Sequence, residues 1–153
     1  MRRRMKWARE AVITYKSLDI ETPVISGPES LEPLLLDIAA ATVEHFYVFA
    51  LDTKNKVIAR YLLSKGTMTS STVDTRELFR FAVLSNAVGL VLAHNHPSGD
   101  IEPSPMDIEV TQRIVAAADV LGFVVLDHVI VTDTRMMSFA SRGIMPTRKY
   151  AAT

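Results

Sequence analysis

Two histidines one residue apart, His94 and His96, stand in the segment His94-Asn95-His96-Pro97-Ser98-Gly99-Asp100 and open the chemical reading of the chain. On an extended backbone, residues i and i+2 project to the same side, so both imidazoles can be offered to one ion. A third ligand has to come from nearby. Ser104-Pro105 predicts a helix start, which places Asp107 in the first turn and directs it back at the histidine loop. Two histidines and an aspartate make a three-ligand site with a fourth position left for water. That is the arrangement of a catalytic zinc, whereas a structural zinc is closed by four protein ligands. Each residue also has a plainer role. Histidines beside a turn can serve only as hydrogen-bonding loop residues, Ser104 suits an N-cap, and Asp107 suits the positive end of the helix dipole. The conjunction of both histidines, the Pro-Ser-Gly turn and Ser-x-x-Asp at a helix start favours the metal.

The histidines leave Val88 to Ala93, a continuous apolar run that predicts a central strand covered on both faces. The C-terminal ends of such strands are where α/β sheets gather their sites. The helix after Ser104 offers Ile108, Ile114, Val115, Ala118 and Leu121 as its inward stripe, with Gly122 closing it. Upstream, residues 43–51 and 56–63 are aromatic and β-branched runs joined by Asp52-Thr53-Lys54-Asn55, a hairpin signal. Leu31, Leu34, Leu35, Ile38 and Ala39 recur at helical spacing, with Pro33 in the first turn. A second helix starts at Asp74, with Glu77 as its capping partner and Leu78, Phe79, Ala82 and Val83 inward. Strands are expected at Ala11 to Tyr15, Phe123 to Val131 and Met136 to Ala140, with Ser26-Gly27-Pro28 as a linker-like segment. The alternation predicts an α/β fold, a mixed β-sheet flanked by helices.

A chain of 153 residues is the size of one domain, so residues 1–153 are read as one. No apolar run approaches the ~18 residues of a membrane span, and MRRRMKWARE lacks the apolar stretch of a signal peptide, which makes a cytoplasmic location the expectation. Cysteine is absent, which excludes thiolate zinc clusters, cysteine nucleophiles and iron-sulfur ligation by this chain. A metal held here sits on nitrogen and oxygen. The 17 basic and 17 acidic residues cancel, so the positive field of a nonspecific nucleic-acid binder is missing; only Arg2, Arg3, Arg4, Lys6 and Arg9 form a basic cluster.

HNHPSGDIEPSPMD resembles the His-x-His-Pro and Ser-x-x-Asp signature of JAMM metallopeptidases. Across about residues 20 to 140 the chain is similar to RadC-like proteins, through EHFYVFALDTKNKVI, TRELFRFAV, NHPSGD and LDHVIV in that order. The resemblance implies a JAB/MPN, cytidine-deaminase-like architecture. It implies zinc on His94, His96 and Asp107, Glu44 before an apolar strand as the base acting on water, and Ser104 stabilising the tetrahedral intermediate. It also implies a protein or peptide substrate. Longer RadC-like chains carry an additional helical N-terminal domain that this chain is expected to lack, so any nucleic-acid contact it supports is not carried over. Among the other carboxylates, Glu77 is explained as a cap and Glu102 lies in the loop. His45 is expected on the opposite face of its strand from Glu44, and His128 as a satisfied, partly buried histidine with a role behind a ligand open to it.

Two functions from different classes follow. The first is a zinc hydrolase of a peptide, isopeptide or other amide bond; the second is a module of the same fold that docks a protein or DNA partner without turnover. Retention of all five site residues favours the first. A nucleobase deaminase fails, because its zinc site needs a Pro-Cys-x-x-Cys pair.

Overall fold

The computed structural model describes residues 21–69 and 71–150, with Thr14 and Lys16. The expected strand at Ala11 to Tyr15, apart from Thr14, and the basic N-terminal cluster lie outside the described residues. Pro28–Leu31 forms a 3-10 turn that runs into α1 (Glu32–Ala39), followed by β1 (His45–Leu51), β2 (Val57–Lys65), α2 (Thr75–Leu84), β3 (Gly89–Asn95), α3 (Pro105–Leu121), β4 (Val124–Val131) and β5 (Met136–Ser138). The five strands lie in the order β2-β1-β3-β4-β5. Only β3 and β4 pair in parallel, across the α3 connection; the other neighbours are antiparallel. The chain is therefore an α/β fold with a mixed sheet flanked by helices.

Local chemistry sets these bounds. At the β1–β2 turn, Asp52 Oδ1 accepts from the Lys54 and Lys56 amides at 2.8 and 2.9 Å, which closes the hairpin as an Asx turn. Asp74 caps α2 by accepting from Arg76 N at 2.9 Å, but Glu77 is not its reciprocal partner: that carboxylate takes Arg80 at 2.7 Å and the Tyr61 hydroxyl at 3.3 Å. Gly122 ends α3 at φ 84°, a conformation that costs other residues about 1–2 kcal/mol. Ser26-Gly27-Pro28 is a helix entrance rather than a linker, since Ser30 folds its hydroxyl back onto Gly27 O and the preceding Val24 bridges Lys56.

Each face of the sheet carries its own core. On one side Leu31 of the 3-10 turn and Leu34, Leu35 and Ile38 of α1 lie against Phe49, Val91, Ala93, Val129 and Val131; on the other, α2 and α3 cover Phe46, Val48, Leu90 and Leu92. Strand β3 is buried at every position, as a central strand requires.

The inward faces of α2 and α3 differ from the expected ones. Val83 is 59% exposed, Ile108 41% and Leu121 57%, so none of the three belongs to the core. The buried face of α3 runs through Asp107, Val110, Thr111, Ile114, Val115, Ala118 and Asp119, a continuous i, i+3, i+4 stripe. Ile114, Val115 and Ala118 face inward as expected, but apolar residues alone misplaced the ends of the stripe, because the inward face opens with Asp107 and carries Thr111 one turn later. On α2, Val83 follows Ala82 by about 100° and leaves the stripe of Leu78, Phe79 and Ala82.

Candidate metal centre

The sheet register assembles the site. Phe46 of β1 pairs with His94 of β3, so the start of β1 lies beside the end of β3. Paired residues of an antiparallel ladder share a face, and alternation then puts Glu44 on the face of Phe46 and His94, while His45 and Asn95 take the other. α3 begins above that first face and turns Asp107 down onto it.

His94 Nε2 lies 3.1 Å from Asp107 Oδ1, His96 Nε2 lies 3.2 Å from Oδ2, and the two Nε2 atoms are 2.9 Å apart. Among the described residues, these three form the group of histidine and carboxylate side chains able to hold an ion. Donors about 2.0–2.2 Å from a tetrahedral ion stand roughly 3.3–3.6 Å from one another, so the set needs a few tenths of an ångström of adjustment. Its chemistry fits as well. His96 Nδ1 is 2.6 Å from the Asp100 carbonyl, which can only accept, so Nδ1 carries a proton and Nε2 is the nitrogen left to ligate an ion. Gly99, at φ 81°, makes the turn that returns Asp100 to His96.

Both plain roles of the helix start are real and coexist with the site. Ser104 Oγ accepts from Asp107 N at 3.1 Å while Asp107 Oδ2 accepts from Ser104 N at 2.7 Å, a reciprocal capping box. Burial alone would push the Asp107 carboxyl up, but hydrogen bonds from His94 and His96, and then the Ser104 amide, outweigh it and hold the group well below the usual carboxylate range. The Asp107 carboxylate in turn raises His96 above the ordinary histidine value, against desolvation. Burial holds the His128 ring well below that value, hence neutral.

A cleft of about 440 Å³ is lined by Glu44, His96, Ser104 and Asp107, with Met68, Asp100 and Glu102 at its walls. Glu44 is half-buried, and the Met68 amide donates to its Oε2 at 3.0 Å; among the described residues, no donor engages Oε1. Glu102, in contrast, is held by Arg142 through two bonds of 2.6 and 2.8 Å, and Glu77 is occupied with Arg80 and Tyr61. The structure thus brings Glu44, His94, His96, Ser104 and Asp107 together. His45 stays apart, its Nδ1 2.9 Å from Val43 O.

Two residues escaped the sequence reading. Asn95, 1% exposed, accepts from His45 N at 2.6 Å and donates to Ala41 O and Val43 O at 3.2 and 3.0 Å, clamping the backbone on either side of Glu44. Its signal was a polar residue between the two histidines, at a position whose neighbours face the opposite way. Asn95→Ala is expected to destabilise the fold by about 2–4 kcal/mol, because a buried N–H and two carbonyls lose their partners. Amide exchange at His45 should accelerate beyond the global change while zinc affinity stays within about threefold. Thr111 is the second. It sits one turn after Asp107, wholly buried, and donates to Asp107 O at 2.6 Å.

A buried strand that ends in His-x-His, set against the first-turn aspartate of the following helix, is the plan of a JAB-type domain. This chain belongs to the RadC-like JAB domain family, whose model matches residues 25–144. JAB domains include metalloenzymes. A UPF0758 protein of Desulforudis audaxviator is 43% identical over 123 residues, covering 80% of this chain and 54% of that protein. One from Rubrobacter xylanophilus is 51% identical over 110 residues, covering 71% and 48%, and one from Shouchella clausii is 43% identical over 126 residues, covering 82% and 55%. The chain spans about half the length of the curated relatives it matches. Among the described residues, no helix is long and apolar enough to cross a membrane.

Proposed function

We propose that this domain is a zinc-dependent hydrolase of a peptide, isopeptide or other amide bond, acting on a protein or peptide substrate in the cytoplasm. The observation that carries the reading is the convergence of His94, His96 and Asp107, the last two of which line one cleft with Glu44 and Ser104. An all-nitrogen-and-oxygen set of three ligands suits zinc with a position left for chemistry. When bound, zinc supplies a Lewis acid and lowers the pKa of water at that position.

The chain's own groups divide the remaining work. Glu44, with Oε2 steadied by the Met68 amide and no donor on Oε1 among the described residues, takes a proton from the attacking water and returns it to the leaving amine. The Ser104 hydroxyl accepts from Asp107 N, so its hydrogen remains available to the oxyanion that forms at the scissile carbonyl. His94, His96 and Asp107 hold the ion, and the capping box keeps Ser104 and Asp107 in register with each other.

The test is a screen of peptide and isopeptide libraries with zinc-loaded protein, repeated after chelation. Turnover that disappears with chelator and returns with zinc is expected. A partner retained without cleavage, bound equally by wild type and Glu44→Gln, would instead identify a docking module.

A further inference from the structure

The ring of His128 stands directly behind the first ligand. Its Nε2 is 2.8 Å from His94 Nδ1, and its Nδ1 is 2.6 Å from Thr111 Oγ1. Thr111 Oγ1 is in turn 2.6 Å from the carbonyl oxygen of Asp107. All four residues are at most 1% exposed. Phe139 stacks on the His128 ring at 4.7 Å between centroids and Phe46 meets it edge-on at 5.4 Å, so the ring has an apolar enclosure and two polar contacts, one at each nitrogen.

The direction of every hydrogen bond in this chain follows from its starting point. A carbonyl oxygen can only accept, so the single hydrogen of the Thr111 hydroxyl goes to Asp107 O. The hydroxyl oxygen must then accept from His128, which places the His128 proton on Nδ1. A second proton would make an imidazolium in an apolar enclosure, where charge is costly; the neutral ring leaves a lone pair on Nε2. That lone pair accepts from His94 Nδ1–H, which makes Nε2 the His94 nitrogen left to ligate an ion, beside Asp107 Oδ1 and His96 Nε2.

We infer that Thr111 and His128 are positioning residues that set the tautomer of His94 for metal ligation, in a hydrogen-bond relay that begins at the Asp107 carbonyl and returns to the Asp107 carboxylate. The inference rests on the reading of the site as a metal centre and extends it two residues behind the ligands. It gives α3 a double function, since one turn of the same helix supplies a ligand and orients another. It also accounts for a threonine on the buried face of α3 and a wholly buried histidine in β4. Partners of this kind behind a ligating histidine are typically worth 10–100-fold in metal affinity.

Two measurements test it. Long-range proton-nitrogen correlation spectra of ¹⁵N-labelled protein distinguish protonated from lone-pair ring nitrogens, and the chain has only 4 histidines to assign. In metal-free wild type, His128 is expected with its proton on Nδ1 and a lone pair on Nε2; with zinc added, His94 is expected with its proton on Nδ1. Competition titrations then compare variants. Thr111→Val, which keeps the shape and removes the hydroxyl, should weaken zinc binding about 10–100-fold, and Thr111→Ser should restore it to within about threefold of wild type.

A His128 proton on Nε2 in the wild type would overturn the relay, as would zinc affinity unchanged in Thr111→Val. The spectra of the wild type decide the point even if Thr111→Val fails to fold. They also separate the two claims: wild type that takes up no zinc yet shows His128 protonated on Nδ1 refutes the metal reading and leaves the relay standing.

Discussion

Glu44→Gln is expected to lower turnover about 10²–10⁴-fold while zinc content and thermal unfolding stay at wild-type values. Glutamine keeps the length and nearly the shape of glutamate, and the Met68 amide can still donate to its side-chain oxygen as it does to Oε2. What it cannot do is take a proton from water. Zinc should remain, because Glu44 lies outside the His94, His96 and Asp107 group. The comparison uses single-turnover rates of zinc-loaded protein on a substrate from the library screen, with metal content measured on the same samples. Zinc-dependent turnover indifferent to Glu44→Gln would refute the assignment. Glu102, at the same cleft but tied to Arg142, would then be the next carboxylate to substitute.

Asp107→Ala has the largest expected effect on metal binding. It removes one of three ligands, so zinc affinity should fall by more than the roughly 10–100-fold that loss of a partner behind a ligand costs. The fold should lose only about 1–2 kcal/mol, the value of an N-terminal cap, since Ser104 N loses its acceptor at Asp107 Oδ2 while the backbone N–H of residue 107 still donates to Ser104 Oγ. A solvent-exposed dipole partner would be worth about 0.3–1 kcal/mol, but Asp107 is 1% exposed and has backbone and side-chain partners to lose. Asp107→Asn separates the roles: its side-chain oxygen can still accept from Ser104 N, while the anionic ligand is gone. Zinc titrations and denaturant unfolding of both variants check the split. Equal zinc affinity in wild type and Asp107→Ala would return Asp107 to capping alone.

The grouping of His94, His96 and Asp107 was legible in the sequence because its geometry is local. His94-x-His96 at the end of an apolar strand and Asp107 three residues into a capped helix are short-range relations, and short-range rules of strand alternation and capping place them. Glu44 was not local in that sense. Its position depends on the antiparallel pairing of β1 with β3 and the register Phe46 to His94, which only the family resemblance conveyed. The inward face of α3 was misread for a related reason. Apolar periodicity assigns Ile108 and Leu121 to the core, yet the helix turns Asp107 and Thr111 inward because the site and the relay satisfy them there. Asn95 and Thr111 each serve residues distant in the sequence, so their partners become visible only in the folded sheet. Glu77 shows the opposite case: a capping pattern was present, but the nearby Arg80 and Tyr61 took the carboxylate instead.

The central claim is that His94, His96 and Asp107 form a zinc site, and the metal stoichiometry of the purified protein tests it most directly. Protein stripped with chelator, given zinc and freed of excess should hold about one equivalent, and the Asp107→Ala protein prepared alongside should hold almost none. Wild type that retains no stoichiometric zinc after repletion, while remaining folded, would contradict the account.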